Sequence, residues 1–167
     1  MARAATPRRR VLASVSIVVA LVFAPAIAGD FVYDDLTLIV GNPAMHDPLA
    51  ALRAWFEPYW TELGYWRPLT AVAIGLGNGL AGAAGVHALA LVLHVAATGL
   101  VFRIAEHLGG GTGRAAFAAL LFGLNPLQVE SVAWASAIND PLWVLCALAA
   151  GEAWLASRGT LRIIGWT

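Results

Sequence analysis

Lysine is absent from this 167-residue chain, and charged residues of all kinds make up only 12% of it. A protein so poor in charge cannot cover a water-facing surface, which excludes an ordinary soluble globular domain. Ten arginines balance ten acids, so there is no net basic charge of the kind that attracts a nucleic-acid partner. The single cysteine, Cys146, excludes an internal disulfide and reads as a small packing residue among Leu145, Ala147 and Leu148. One glycine-rich run, Gly109-Gly110-Gly111-Thr112-Gly113, lacks both the Lys-Ser/Thr pair and the preceding strand of a phosphate-binding loop, and so reads as a tight turn.

What is present is apolar. Hydrophobic residues make up 60% of the chain and mean hydropathy is +0.75, which predicts an all-α, polytopic helical membrane protein. Abundant Ala, Gly and Arg without lysine suggest a GC-rich prokaryotic genome, and hence a bacterial inner membrane. Residues 1–10 form a basic tail holding Arg3, Arg8, Arg9 and Arg10, which should stay in the cytoplasm. The first transmembrane helix follows over 11–28, charge-free and about long enough to cross the hydrocarbon core. A signal peptide is the rival reading, because Ala26-Ile27-Ala28 has the small-x-small form of a cleavage site.

Residues 29–85 read as a long external first loop punctuated by Pro43, Pro48, Pro58 and Pro68. Within it Leu49 to Trp60 has the spacing of a short amphipathic helix at the interface. Leu69 to Leu80 is apolar but too short to span; Gly75, Gly77 and Gly79 lower its helix propensity, and it reads as a helix that lies on or dips into the outer leaflet. A second span is expected over 86–107, a broken third membrane segment over 114–138, where Asn125-Pro126 interrupts the apolar run, a fourth span over 140–156, and a cytoplasmic tail over 157–167. This order leaves only Arg53 and Arg67 among the arginines outside. It gathers Asp30, Asp34, Asp35, Asp47, Glu57, Glu62, Glu130 and Asp140 at the external face, as the positive-inside rule favours.

Carboxylates next to a membrane are costly to desolvate and are functional candidates by default. Asp34 and Asp35 are adjacent, so their side chains diverge and one of them is expected to face a site. There it would accept a proton from an acceptor hydroxyl; capping of the following helix is the alternative. Glu130 could orient an acceptor or position its loop. Asp140, in Asn139-Asp140-Pro141, favours a helix-capping role. Arg67, beside Tyr65 and Trp66, fits either a lipid phosphate or interfacial anchoring. His87 and His94 share a helix face but are separated by about 10.5 Å of rise, too far to hold one metal ion. His94 suits an interhelical hydrogen bond, while His87 lies close enough to the outer surface to face a site.

The order of these pieces carries a resemblance. It runs Phe31-Val32-Tyr33-Asp34-Asp35, Asn42-Pro43, Tyr65-Trp66-Arg67-Pro68-Leu69, His87 and His94, then Leu121-Phe122-x-x-Asn125-Pro126-x-x-x-Glu130-x-Val132-Ala133-Trp134, and lastly Asp140. This set resembles the N-terminal part of the transmembrane and tetratricopeptide-repeat-containing O-mannosyltransferases and their bacterial relatives, which are GT-C glycosyltransferases. The resemblance implies the N-terminal part of a GT-C fold, with about four of its membrane segments present. It also implies a polyprenyl-phosphate sugar as donor substrate, a protein or glycan acceptor, chemistry at the external face and inversion at the sugar carbon. No cofactor is implied, and a divalent metal requirement is left open. The catalytic acid carried over is Asp34 or Asp35, with Glu130 and Arg67 lining the same site. Asn125, Ala90 and Ala137-Ile138 depart from the family pattern, which leaves the substrate open. No tetratricopeptide repeat occurs in the chain, so the expectation is an N-terminal fragment. A non-catalytic membrane partner or small transporter, with His94 and Glu130 along a polar path, is the competing class.

Overall fold

The computed structural model describes residues 5–58 and 64–163. Arg3, Tyr59, Trp60 and Glu62 lie outside the described residues, as do the side chains of Arg158 and Arg162. The described chain is all helical, without a β-strand. Its long elements are α1 (Ala5–Phe23), α3 (Pro68–His107), α4 (Gly111–Gly123) and α6 (Asn139–Ile163), with short α2 (Pro48–Ala51) and α5 (Gln128–Ala133) between them.

Pro25 cannot donate to a carbonyl one turn back, so α1 tightens into a 3-10 turn over Ala24–Ala28 and releases the chain at an extended Gly29. The loop that follows is built from small caps. Asn42 Oδ1 accepts from the Ala44 amide at 3.1 Å, and Asp47 Oδ1 accepts from the Leu49 amide at 2.9 Å, capping α2. The amphipathic helix expected from Leu49 onward is one α-turn followed by a 3-10 turn over Leu52–Trp55, with Leu49, Leu52, Trp55 and Phe56 all exposed. The tighter turn gives their side chains a different angular spacing from that of a continuous α-helix.

α3 is broken in the middle. Ala81 has φ −153° and Gly82 has φ 60° and ψ −142°, a conformation open to glycine and strained for other residues. The arm before the break folds close to the arm after it: a Cβ on Gly77 would lie 2.8 Å from Val86 Cα. Gly75 and Gly79 similarly admit Ala51 and Pro48 of α2. These glycines, which weaken an isolated helix, are what lets this one be packed on two sides. At the other end Gly109, at φ 84°, takes the left-handed position after the helix, and the Gly110 amide donates to Ala105 O at 3.0 Å.

α3 is the hub, packed against α1, α4 and α6. α4 meets both α1 and α3 closely at Gly123, where a Cβ would lie 2.7 Å from Val19 Cγ2 and 2.9 Å from Thr98 Oγ1. Neither neighbour yields easily: Val19 is fully buried, and Thr98 Oγ1 donates to His94 O at 2.9 Å. His94 Nε2 in turn donates to Gly123 O at 3.0 Å, with its ring between Phe23 and Phe122. Gly123→Val is therefore expected to destabilise the bundle by about 1–3 kcal/mol through overpacking. Detergent unfolding monitored by tryptophan emission checks it, with Gly113→Val, whose Cβ meets open space, as the control.

The helix ends form two poles. At one, Arg8 pairs with Glu106 at 2.6 Å, while the largely buried Glu152 meets Arg103 at 2.7 Å and His107 at 3.0 Å. At the other stand the end of α1, the part of α3 around His87 and the turns either side of α5. Two helices, Pro7–Ala28 and Pro68–His107, are long and apolar enough to cross a membrane by length and composition. The expected four crossings are thus only partly represented among the described residues. α4 has 13 residues, which rise only about 20 Å, and α6 carries Glu152 in its course.

Candidate functional site

The doublet sits on a tight turn between α1 and a π-helical turn over Leu36–Val40. The Asp35 amide donates to Val32 O at 3.0 Å, and Tyr33 adopts φ 50°. A left-handed tyrosine is uncommon and strained, so the surrounding contacts must hold it there. The turn sends the two acids in opposite directions. Asp35 is fully buried and Asp34 is exposed.

Asp35 is occupied by the protein itself. Its Oδ2 accepts from the Val32 amide at 3.0 Å, and its Oδ1 accepts from the Ser136 amide at 2.8 Å and also from the Ser136 hydroxyl. Ser136 belongs to the 3-10 turn Ala135–Ile138 between α5 and α6, so one carboxylate fastens the first loop to a turn 101 residues later. Three donors on a buried acid make a strong, charge-assisted anchor.

That anchor sets the walls of a groove of about 530 Å³, with Val32, Tyr33 and Asp34 on one side and Val129, Glu130, Ala133 and Trp134 on the other. Asn125 and Pro126 shape the second wall. The Leu127 amide donates to Asn125 Oδ1 at 3.0 Å, ending the apolar run and letting α5 start in a new direction, with Glu130 in its first turn. Asp34 and Glu130 thus face one space, and both are exposed. The indole Nε1 of Trp134, also in this wall, is a buried donor without a partner. Among the described residues no group of three His, Cys, Asp or Glu side chains is close enough to hold a metal ion.

The other residues expected at the site stand apart from this groove. His87 lies beneath the loop, 1% exposed, rather than on the groove wall. Asp140 occupies the first turn of α6, where its Oδ1 accepts from Asn139 Nδ2 at 2.7 Å and its Oδ2 from Ser131 Oγ at 3.3 Å. It lines an adjoining cavity of about 290 Å³ with His94, Gln128, Ser131 and Trp143. Arg67 precedes Pro68 at the start of α3 and lies exposed with its guanidinium 4.9 Å from the Tyr65 ring centroid. That cation–π contact fits an interfacial anchor. Ser136 was not expected at all. A lone serine carries no signal of its own, and only the partnership with Asp35 singles it out.

No protein-family model matches the chain, and no solved structure does. Among curated proteins, it is 29% identical over 151 residues to the mouse protein O-mannosyl-transferase TMTC4, covering 77% of this chain and 20% of that protein. Human protein O-mannosyl-transferase TMTC4 is 30% identical over 161 residues, 83% of this chain and 21% of the relative. The Drosophila melanogaster protein O-mannosyl-transferase Tmtc2 is 32% identical over 113 residues, 62% of this chain and 12% of the relative. The resemblance to O-mannosyltransferases drawn from the order of motifs is borne out. The chain spans about a fifth or less of the length of these relatives.

Proposed function

We propose that this chain is the N-terminal part of an integral-membrane GT-C glycosyltransferase. It transfers a sugar, with mannose the first candidate, from a polyprenyl-phosphate donor to a hydroxyl of a protein or glycan acceptor at the extracytoplasmic face. The observation that carries the reading is the division of the doublet: Asp35 is consumed by three hydrogen bonds, which leaves Asp34 facing Glu130 across an open groove. Similarity to proteins named O-mannosyl-transferases supports the reaction class.

In this reading Asp34 is the general base. It takes the proton of the acceptor hydroxyl as that oxygen attacks the anomeric carbon from the face opposite the donor phosphate. The bond from that carbon to the phosphate oxygen breaks, the phosphate leaves with the electron pair, and the configuration inverts. Glu130 accepts a hydrogen bond from the acceptor and orients it. Asp140 with Ser131 extends polar contacts beyond the groove, while Arg67, exposed beside Tyr65 and apart from the groove, holds the first loop at the interface. The four membrane segments are α1, the later arm of α3, the broken α4–α5 segment and α6. Arg8, Arg103 and Arg114 then lie on the cytoplasmic side with the N-terminus, in a bacterial inner membrane.

The test is to incubate membranes holding the full-length gene product with labelled polyprenyl-phosphate sugars. Glu130→Gln is expected to weaken transfer about tenfold, mainly through the acceptor KM, because a charge-assisted contact becomes a neutral one. No transfer by the unmutated protein from any donor, together with assembly or transport phenotypes, would favour the non-catalytic partner or transporter. Topology has its own check. In a Cys146→Ala background, Tyr33→Cys should react with a membrane-impermeant thiol reagent added outside; labelling only after the membrane is opened overturns the external site.

A further inference from the structure

Tyr33 is held in a conformation that suits it poorly. Its φ of 50° is one that glycine or asparagine adopts more readily than an aromatic residue. The backbone on either side pins it there: the Asp35 amide donates to Val32 O at 3.0 Å, the Leu36 amide to Tyr33 O at 3.2 Å, and the Val32 amide to Asp35 Oδ2 at 3.0 Å. Packing of the ring does not offset the strain, because Tyr33 is 82% exposed. What the ring does is line the groove, in the same wall as Asp34 and across from Glu130 and Trp134. The Trp134 Nε1 atom is buried, so that indole presents carbon to the groove rather than its polar atom. At about 530 Å³ the space falls within the range of about 300–1,000 Å³ usual for small-molecule sites. Two carboxylates set among two aromatic rings suit a pyranose. Its rim carries hydroxyls that donate to carboxylates, and its apolar C–H face bears the partial positive charge that the face of an aromatic ring attracts.

We infer that Tyr33, with Trp134 across the groove, is the platform on which the hexose of the donor stacks, and that it sets the preference for the sugar-bearing lipid over the bare carrier. The inference deepens the proposed function and rests on its reading of the groove. Of the two reactants, the donor brings a sugar ring to every turnover, whereas a protein acceptor brings none. The strained turn then has a use: it directs an aromatic ring into the space beside Asp34, which a relaxed residue without a ring would leave open.

Equilibrium binding to the full-length protein in membranes, without acceptor, tests it. Labelled polyprenyl-phosphate mannose is displaced either by the unlabelled compound or by bare polyprenyl phosphate, and the ratio of the two affinities isolates the sugar. Tyr33→Phe keeps the ring and should keep the ratio. Tyr33→Asn, which suits the left-handed turn, should lower the ratio about tenfold, the scale of an aromatic stacking contact. Its affinity for the bare carrier should be unchanged, and its amide exchange over 30–36 no faster than that of the unmutated protein. Tyr33→Leu replaces it if the asparagine variant does not accumulate in the membrane. An unchanged ratio in the ringless variant overturns the inference, as does a phenylalanine variant as poor as the ringless one. A joint fall for both lipids would make Tyr33 a membrane anchor, and faster exchange would make its ring part of the turn; either result also overturns it. If the unmutated protein binds neither lipid, the proposed function itself fails; if it binds both equally, the donor lipid stands and the stacking alone is lost.

Discussion

Asp34→Asn is expected to reduce sugar transfer by about 10²- to 10⁴-fold, the contribution of a well-placed general base. It should leave membrane abundance and unfolding behaviour unchanged. The separation of effects follows from where the side chain is. Asp34 is exposed and accepts none of the side-chain hydrogen bonds that hold the turn, which belong to its neighbour. An amide of the same shape cannot take up the acceptor's proton, so the loss should appear in kcat with KM for the donor largely retained. The measurement is steady-state transfer in matched membranes. A variant with more than half of wild-type activity would remove Asp34 from the mechanism.

Asp35→Ala should fail in a different way. The substitution strands the Val32 amide, the Ser136 amide and the Ser136 hydroxyl in a region where Asp35 is fully buried. Leaving buried donors without partners costs about 1–3 kcal/mol each before relaxation, so a loss of at least about 3 kcal/mol is expected. Detergent or thermal unfolding measures it, and protease cutting near residue 33 should accelerate. Ser136→Ala keeps the amide and removes the hydroxyl alone, so its loss should be about 1 kcal/mol. Transfer by the Asp35 variant falls as well, but together with stability. Equal stability of Asp35→Ala and the unmutated protein would mean that the anchor holds nothing.

These opposite fates explain why the site was only half legible in the sequence. Adjacent residues on a short turn diverge, so one acid facing a site follows from Asp34-Asp35 alone. Which of the two it is depends on Ser136, 101 residues away, and no local pattern marks that partner. Glu130 was accessible because Asn125-Pro126 interrupts an apolar run and leaves an acid just beyond it. Arg67, His87 and Asp140 were grouped with the acids through membership of one external face, a criterion too coarse to separate a groove wall from the layer beneath it.

The fold divides similarly. The all-helical class follows from apolar content, and α1 follows from its basic flank and charge-free run. The helix before Gly82 is expected from its apolar run even though Gly75, Gly77 and Gly79 lower local propensity, but its close packing on two sides is not. Close packing against Val86, Ala51 and Pro48 overrides that cost, and such contacts are invisible to a local window. The Leu49 region failed in the reverse sense: its spacing suits an amphipathic helix, yet the backbone tightens after Ala51.

The link between Asp35 and Ser136 also has a consequence for biogenesis. During synthesis the aspartate leaves the ribosome 101 residues ahead of the serine that will hold it, a delay of roughly 5 to 20 s at ordinary elongation speeds. Until the later hairpin is delivered by the insertion machinery, the acidic turn has no lock. Interrupted translation would therefore yield an embedded but unassembled precursor, and quality-control proteases could recognise it by that open turn.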